Sequence, residues 1–235
     1  MGEQGEPMAR EAHGLGARAE GGEETRRLYL AKPRRIGRYE RWVKPVLDRI
    51  AGIVLSIVTA PVVAVIALLI RTKMGAPVLF RQRRVGLHGR EFVVYKFRTM
   101  APDRRRGPSR PVEVERRVTH KSEHDPRHTP LGRVLRRWSL DELPQLWNVA
   151  KGEMSLVGPR PELPEIVARY EPWQHRRHEV KPGLTGLWQV SARGDKPMHE
   201  ATELDIEYVE NLSFLTDLKI LLATPRAAFG SHKGA

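Results

Sequence analysis

The apolar positions of this chain fall into one long block and several short ones. Residues 50–70, IAGIVLSIVTAPVVAVIALLI, form a run of 21 residues without a charge. A straight helix of that length is about 30 Å long, the thickness of the hydrocarbon core of a bilayer. Pro61 sits mid-run, where it removes one backbone donor and presses its ring against the carbonyl of Ile57, so a bend or break is expected. The hydroxyls of Ser56 and Thr59 are candidates to satisfy the freed backbone groups. Both flanks are basic: Lys32, Arg34, Arg35, Arg38, Arg41, Lys44 and Arg49 precede the run, and Arg71, Lys73, Arg81, Arg83 and Arg84 follow it. Positive charge favours the cytoplasmic side of a membrane. A spanning helix strands one cluster outside, whereas a hairpin broken at Pro61 keeps both inside. The pattern alone leaves span and hairpin open.

The later blocks are shorter. Residues 78–80 and 92–97 predict two short strands, joined by a turn that Gly86, His88 and Gly89 carry. Helical spacing covers 131–137 and 140–150, with shorter helices expected at 162–170 and 204–209. Residues 214–229 are apolar but interrupted by Asp217, Lys219 and Arg226; an interfacial helix lying on a membrane and a core-facing helix fit equally well. Residues 102–115 read as an exposed Pro- and Arg-rich loop, and residues 1–27 lack the large apolar side chains needed to offset ordering entropy. No internal repeat, GxGxxG or Walker loop is present. The expected fold class is an α-rich α+β arrangement with a short β-hairpin. The expected layout is a tail over 1–31, a membrane-associated segment over 32–75, a compact domain over 76–230 and a tail over 231–235.

Composition narrows the chemistry. The 235 residues carry 41 basic and 28 acidic side chains, a formal net charge of +13, which calls for an anionic partner such as nucleic acid, acidic lipid or a phosphorylated substrate. With no cysteine, disulfides, thiolate catalysis and cysteine zinc sites are excluded. His120, His124 and His128 recur every four residues, but Pro126 breaks the helix that would align them as metal ligands. His175 and His178, in WQHRRHEV, read as part of a solvated basic face.

The informative stretch is RRWSLDELPQLWNVAKGEMSLVGPRP, residues 136–161. Ser139-Leu140-Asp141-Glu142 fits a capping box, with Ser139 as N-cap and Glu142 at N3. The same geometry has a chemical use. A helix N-terminus favours an ionised carboxylate and also binds phosphate. An aspartate placed there can attack phosphorus and form an acyl phosphate. Repulsion between carboxylate and diphosphate then has to be removed by a divalent cation and by arginines, and Arg136, Arg137 and Arg160 are at hand. Arg160 lies between two prolines, a rigid approach or simply a surface loop. In YKFRT, Lys96 and Arg98 share one strand face, which suits phosphate or a solvated edge. In KPGLTGLWQVSAR, Trp188, Gln189 and Arg193 could receive a base, sugar or phosphate, or belong to a packed turn and strand.

From about Asp48 to Thr224 the chain resembles the bacterial sugar transferases, the monotopic phosphoglycosyl transferases that start glycan assembly on polyprenyl phosphate. The resemblance rests on the Pro-broken apolar segment, VLFRQRRVG, YKFRTM, the long motif from DPRHTP to GPRP, KPGLTGLWQVSAR and LDIEYVENLSFLTDLKIL, all in order. It implies an Asp-Glu dyad at Asp141 and Glu142. Asp141 would attack the β-phosphate of a UDP-sugar, release UMP, and hold the sugar phosphate until polyprenyl phosphate takes it. Magnesium would be held near Asp141, and Glu142 would act electrostatically or as acid/base. Lys96, Arg136 and Arg160, with Arg98 and Arg193 as further candidates, would surround the phosphates. Pro61 would break a re-entrant membrane helix, giving a monotopic protein on the cytoplasmic face of the bacterial inner membrane, in the short form without an added N-terminal membrane bundle. Membrane lipid would be a partner, nucleic acid would not, and a homodimer is left open. Ala60 stands where the family often has Ser, and Ala192 where Gly is frequent. The competing expectation is a non-enzymatic anchored basic protein that binds anionic lipid or nucleic acid.

Overall fold

The computed structural model describes residues 34–101, 127–191 and 201–229. The folded unit begins at Ile36. Helix α1, Lys44–Met74, follows a π turn at Tyr39–Val43. Strands β1 (Leu79–Val85) and β2 (Glu91–Phe97) form an antiparallel hairpin. The expected first strand starts one residue later than the sequence suggests and runs on through the arginines to Val85. Helix α2 (Pro130–Arg137) leads through a 3-10 turn, Leu140–Glu142, to α3 (Gln145–Lys151). Strand β3 (Ser155–Val157) pairs in parallel with β4 (Gly183–Thr185); between them lie α4 (Pro164–Val167) and a 3-10 stretch, Pro172–Glu179. Helices α5 (Leu187–Ser191), α6 (Thr202–Glu210) and α7 (Phe214–Phe229) complete the described chain.

Pro61 lies inside α1 and does not end it. Ser56 and Thr59 donate to the carbonyls of Gly52 and Leu55, each at 2.7 Å, so neither hydroxyl caps the Ile57 carbonyl as the sequence had suggested. Such back-bonding to position i−4 is the ordinary alternative for Ser and Thr in a helix.

The two ends of α1 dock on the rest of the unit, while its middle does not. At the N-terminal end Gly52 meets α3 so closely that a Cβ there would stand 2.7 Å from the backbone nitrogen of Ala150. Asp48 accepts from the Leu156 amide at 3.1 Å, and Lys44 reaches Asp217 at 2.6 Å. At the C-terminal end Ile66 and Ile70 join a core with Phe97 and Leu135. Between Gly52 and Ile66 no residue is buried; Ile57 and Val58 are 67% and 66% exposed.

Helix α7 combines both readings its sequence allowed. Ile220 and Asp217 are buried, and Asp217 receives the hydroxyls of Tyr39 and Tyr208, each at 2.7 Å. Phe214, Leu215, Leu218, Leu221 and Leu222 stay exposed. The stretch WQHRRHEV corrects the expectation of a solvated face: Trp173, Arg176, Arg177 and His178 are all buried. His178 stacks on Tyr170, and burial, with Arg177 and His175 nearby, pushes its imidazole down to about 3.

Candidate active site

The turn that carries the acidic pair is set by its apolar neighbours. Leu140 and Leu143 pack into the core formed by Ile66, Ile70, Phe97 and Leu135, so the turn is mounted on the C-terminal half of α1. Ser139 takes a left-handed conformation (φ 53°) and makes no side-chain cap. The capping box is thus corrected. The Glu142 carboxylate, which a box would return to the backbone, is engaged elsewhere. A non-glycine residue in this region carries a steric cost of about 1–2 kcal/mol, and such strain gathers at functional turns. The expected helix over 140–150 is accordingly two pieces, with α3 starting only at Gln145.

Glu142 lies between two cations. Lys96 Nζ donates to its Oε1 at 2.8 Å and Arg160 NH2 to the same atom at 2.6 Å. Burial pushes the carboxyl up, but Arg160 and Lys96 overcome it and hold Glu142 well below the usual carboxylate range. Burial lowers Lys96, with Glu142 opposing, whereas Glu142 raises Arg160. Asp141, one residue away, has the opposite surroundings. No described residue gives it a hydrogen bond or ion pair. Burial and then the charge of Glu142 raise its pKa; Lys96, Arg136 and Arg160 pull the other way. Two adjacent carboxyls are thereby driven apart, a pattern of sites that assign them different tasks.

Arg136 is close enough to influence Asp141, but its own bonds go to Thr99 Oγ1 at 2.9 Å and His128 Nε2 at 2.7 Å. An imidazole nitrogen facing a guanidinium must accept, so that lone pair is not offered to a metal. His120 and His124 lie outside the described residues. Arg98 does not join the cluster: its guanidinium donates to the carbonyls of Met74, Gly75 and Ala76, the last two at 2.7 and 2.9 Å. Placed just past β2, it closes the C-terminus of α1, where orphan carbonyls favour a cation. Its assignment to phosphate therefore gives way to a capping role. Arg193 lies outside the described residues. Gln189 is buried, with neither carboxamide atom hydrogen-bonded.

The residues that hold Arg160 carry no local sequence signal. Arg177 donates to the Arg160 carbonyl at 2.6 Å and Arg84 to the Pro161 carbonyl at 3.0 Å. Each guanidinium is backed by its own acid: Asp205 lies 2.6 Å from Arg177, and Glu162 lies 3.2 Å from Arg84. Burial, partly offset by Glu162, brings Arg84 down to about 10. Tyr170 also receives a hydrogen bond from Arg177. Two consecutive carbonyls pinned by two arginines fix the loop that presents Arg160 to Glu142.

Among the described residues no cluster of three His, Asp or Glu side chains could cage a metal. Magnesium does not require one, because it keeps water and binds through one or two carboxylates plus substrate phosphates. Asp141, which no described residue pairs, suits that role, whereas Glu142 is already neutralised by Lys96 and Arg160.

A model of the bacterial sugar transferase family matches residues 39–231. The uncharacterized sugar transferase EpsL of Bacillus subtilis is 45% identical over 191 residues, which cover 81% of this chain and 89% of that one. The exopolysaccharide production protein ExoY of Sinorhizobium fredii is 39% identical, covering 75% of this chain and 81% of its own length. The UDP-glucose:undecaprenyl-phosphate glucose-1-phosphate transferase of Escherichia coli is 37% identical over 195 residues; these cover 78% of this chain but only 39% of that longer protein. The family match spans the acidic pair and the elements that hold it, and the chain belongs to the bacterial sugar transferase family.

Proposed function

We propose that this protein moves a sugar 1-phosphate from a UDP-sugar to polyprenyl phosphate, with Asp141 as nucleophile, as an opening step of polysaccharide assembly. The observation that carries the reading is the Asp141 carboxylate: without a hydrogen bond or ion pair from the described residues, within the influence of Lys96, Arg136 and Arg160, on a turn mounted against the apolar helix. An Asp141 oxygen attacks the β-phosphorus, the bond from that phosphorus to the bridging oxygen breaks, and UMP departs with the bridging oxygen. The sugar phosphate is left as an acyl phosphate. A phosphate oxygen of the polyprenyl acceptor then attacks the same phosphorus and returns the carboxylate, giving a polyprenyl diphosphate sugar. Neither displacement moves a proton. Glu142, held ionised by two cations, accordingly serves to orient Lys96 and Arg160 rather than to exchange protons. When bound, magnesium supplies charge neutralisation of the diphosphate, with Asp141 the residue that would hold it.

The same reading places the protein on the cytoplasmic face of the membrane, entered but not crossed. One helix, Tyr39–Met74, is long and apolar enough to cross. Support for re-entry comes from its two docked ends. Gly52 and Ile66 both pack on the same folded unit, and the unburied stretch between them, 53–65, is about 20 Å long as a helix, short of a hydrocarbon core. Both basic flanks face the same side when the continuous helix bends at Pro61, where its ladder lacks one donor.

The test is turnover in membranes: UMP release from a UDP-sugar should require magnesium and polyprenyl phosphate for repeated cycles, and Asp141→Asn should lower it by about 10³-fold or more. Undiminished turnover by Asp141→Asn would remove the assigned nucleophile.

A further inference from the structure

We infer that the groove along residues 77–81 seats the first isoprene units of the acceptor lipid; this deepens the transferase reading above and rests on it. Phe80 is a large apolar side chain left 46% exposed. Its cross-strand partner is Lys96, so ring and ammonium stand on the same face of the hairpin. Lys96 in turn grips Glu142, next to Asp141. Pro77, Val78, Leu79, Phe80 and Arg81 line an open groove of about 670 Å³.

Continuity and charge identify the occupant. Val78 and Leu79 pack against the core of Ile66 and Ile70, so the groove begins where the apolar helix ends. Leu79 faces the core side of its strand with Phe97, while on the opposite side the apolar Phe80 is followed by the cation Lys96, with Arg160 on the other side of Glu142. A prenyl phosphate has the same order, an apolar chain ending in an anion. A nucleotide or a free sugar phosphate has no apolar tail to cover Phe80. With the phosphate near Asp141, the chain would run over Phe80 and down to the bilayer beside Met74.

Two arms test this. In the kinetic arm, Phe80→Ser should raise the KM for a long-chain polyprenyl phosphate about tenfold, against a constant rate of UMP release in a single turnover without acceptor. Phe80→Leu should restore most of the loss. In the labelling arm, Phe80→Cys is the only thiol in a chain that has no cysteine. Polyprenyl phosphate should slow its reaction with a maleimide, and inorganic phosphate should not. An unchanged acceptor KM, an equal fall in UMP release, or labelling indifferent to polyprenyl phosphate would overturn the assignment. Absence of UMP release from the wild type would instead refute the transferase reading, and the labelling arm would still decide the groove.

Discussion

Two clusters of arginines and carboxylates lie on either side of the Arg160 backbone, and they are built for different ends. Around Glu142 the side chains remain 19–29% exposed, and a second carboxylate stands beside them unpaired. Around Arg177 and Asp205 exposure is 1%, and the guanidinium is spent on Asp205, Tyr170 and the Arg160 carbonyl. Similar groups make a reactive site in one place and a brace in the other. What separates them is accessible charge in excess of its partners.

The two clusters should therefore fail differently. Asp141→Asn should abolish transfer while leaving the fold at least as stable at neutral pH. A carboxyl raised above its unfolded value is a penalty once both forms are ionised, and the penalty disappears below the unfolded value. Arg177→Met should do the reverse in order of cause. It leaves Asp205 buried and unpaired, at a cost of about 3–5 kcal/mol in stability. Arg160→Met should instead lower kcat by about 10²–10³-fold with a smaller change in unfolding midpoint. Chemical denaturation of both variants alongside their kinetics checks the pair, and equal stability losses would erase the distinction.

A subtler effect concerns pH. The acid limb of kcat/KM should lie above the ordinary aspartate value, because Asp141 must be ionised to attack and its pKa is raised. Glu142→Gln removes a negative neighbour and releases Lys96 and Arg160, so among surviving activity that limb should move to lower pH. Glu142 is depressed, so the stability it contributes is present above its unfolded value and is lost as pH falls through its folded one. A limb that stays in place would mean that the two carboxyls do not interact. The smallest effect is at Ser139, where Gly should stabilise by about 1 kcal/mol by accepting the left-handed turn, and Ala should show no loss of a cap. Thermal unfolding of the two variants distinguishes this from a capping box.

The parts legible in the sequence were those set by local period and by short-range chemistry. The hairpin and the helix before the acidic pair follow from alternation and helical spacing, whereas the grouping of Lys96 and Arg160 with Asp141 and Glu142 came with the family resemblance, residue type alone leaving a cap, a solvated strand edge and a surface loop as alternatives. The brace was not legible. Arg177 and His178 sit in a run of charge and histidine that reads as solvated, and their burial depends on Asp205 and Tyr170 from other elements. Ser139 departs from the expected N-cap because Ser-x-x-Glu specifies a capping box only when Glu142 lacks better partners, and Lys96 comes from a distant strand. Arg98 shares a face with Lys96 in a strand, but β2 ends before it, and its guanidinium turns to the end of α1. Pro61 marks the membrane segment without ending its helix, because one missing donor leaves the remaining ladder intact.

The central claim is that the Asp141 carboxylate becomes bonded to phosphorus. Enzyme incubated with a UDP-sugar and magnesium but no acceptor, quenched, digested and weighed by mass spectrometry, should carry a sugar phosphate on the peptide containing Asp141, and added polyprenyl phosphate should remove it. Full turnover without any such adduct, or an adduct on a different side chain, would contradict the account.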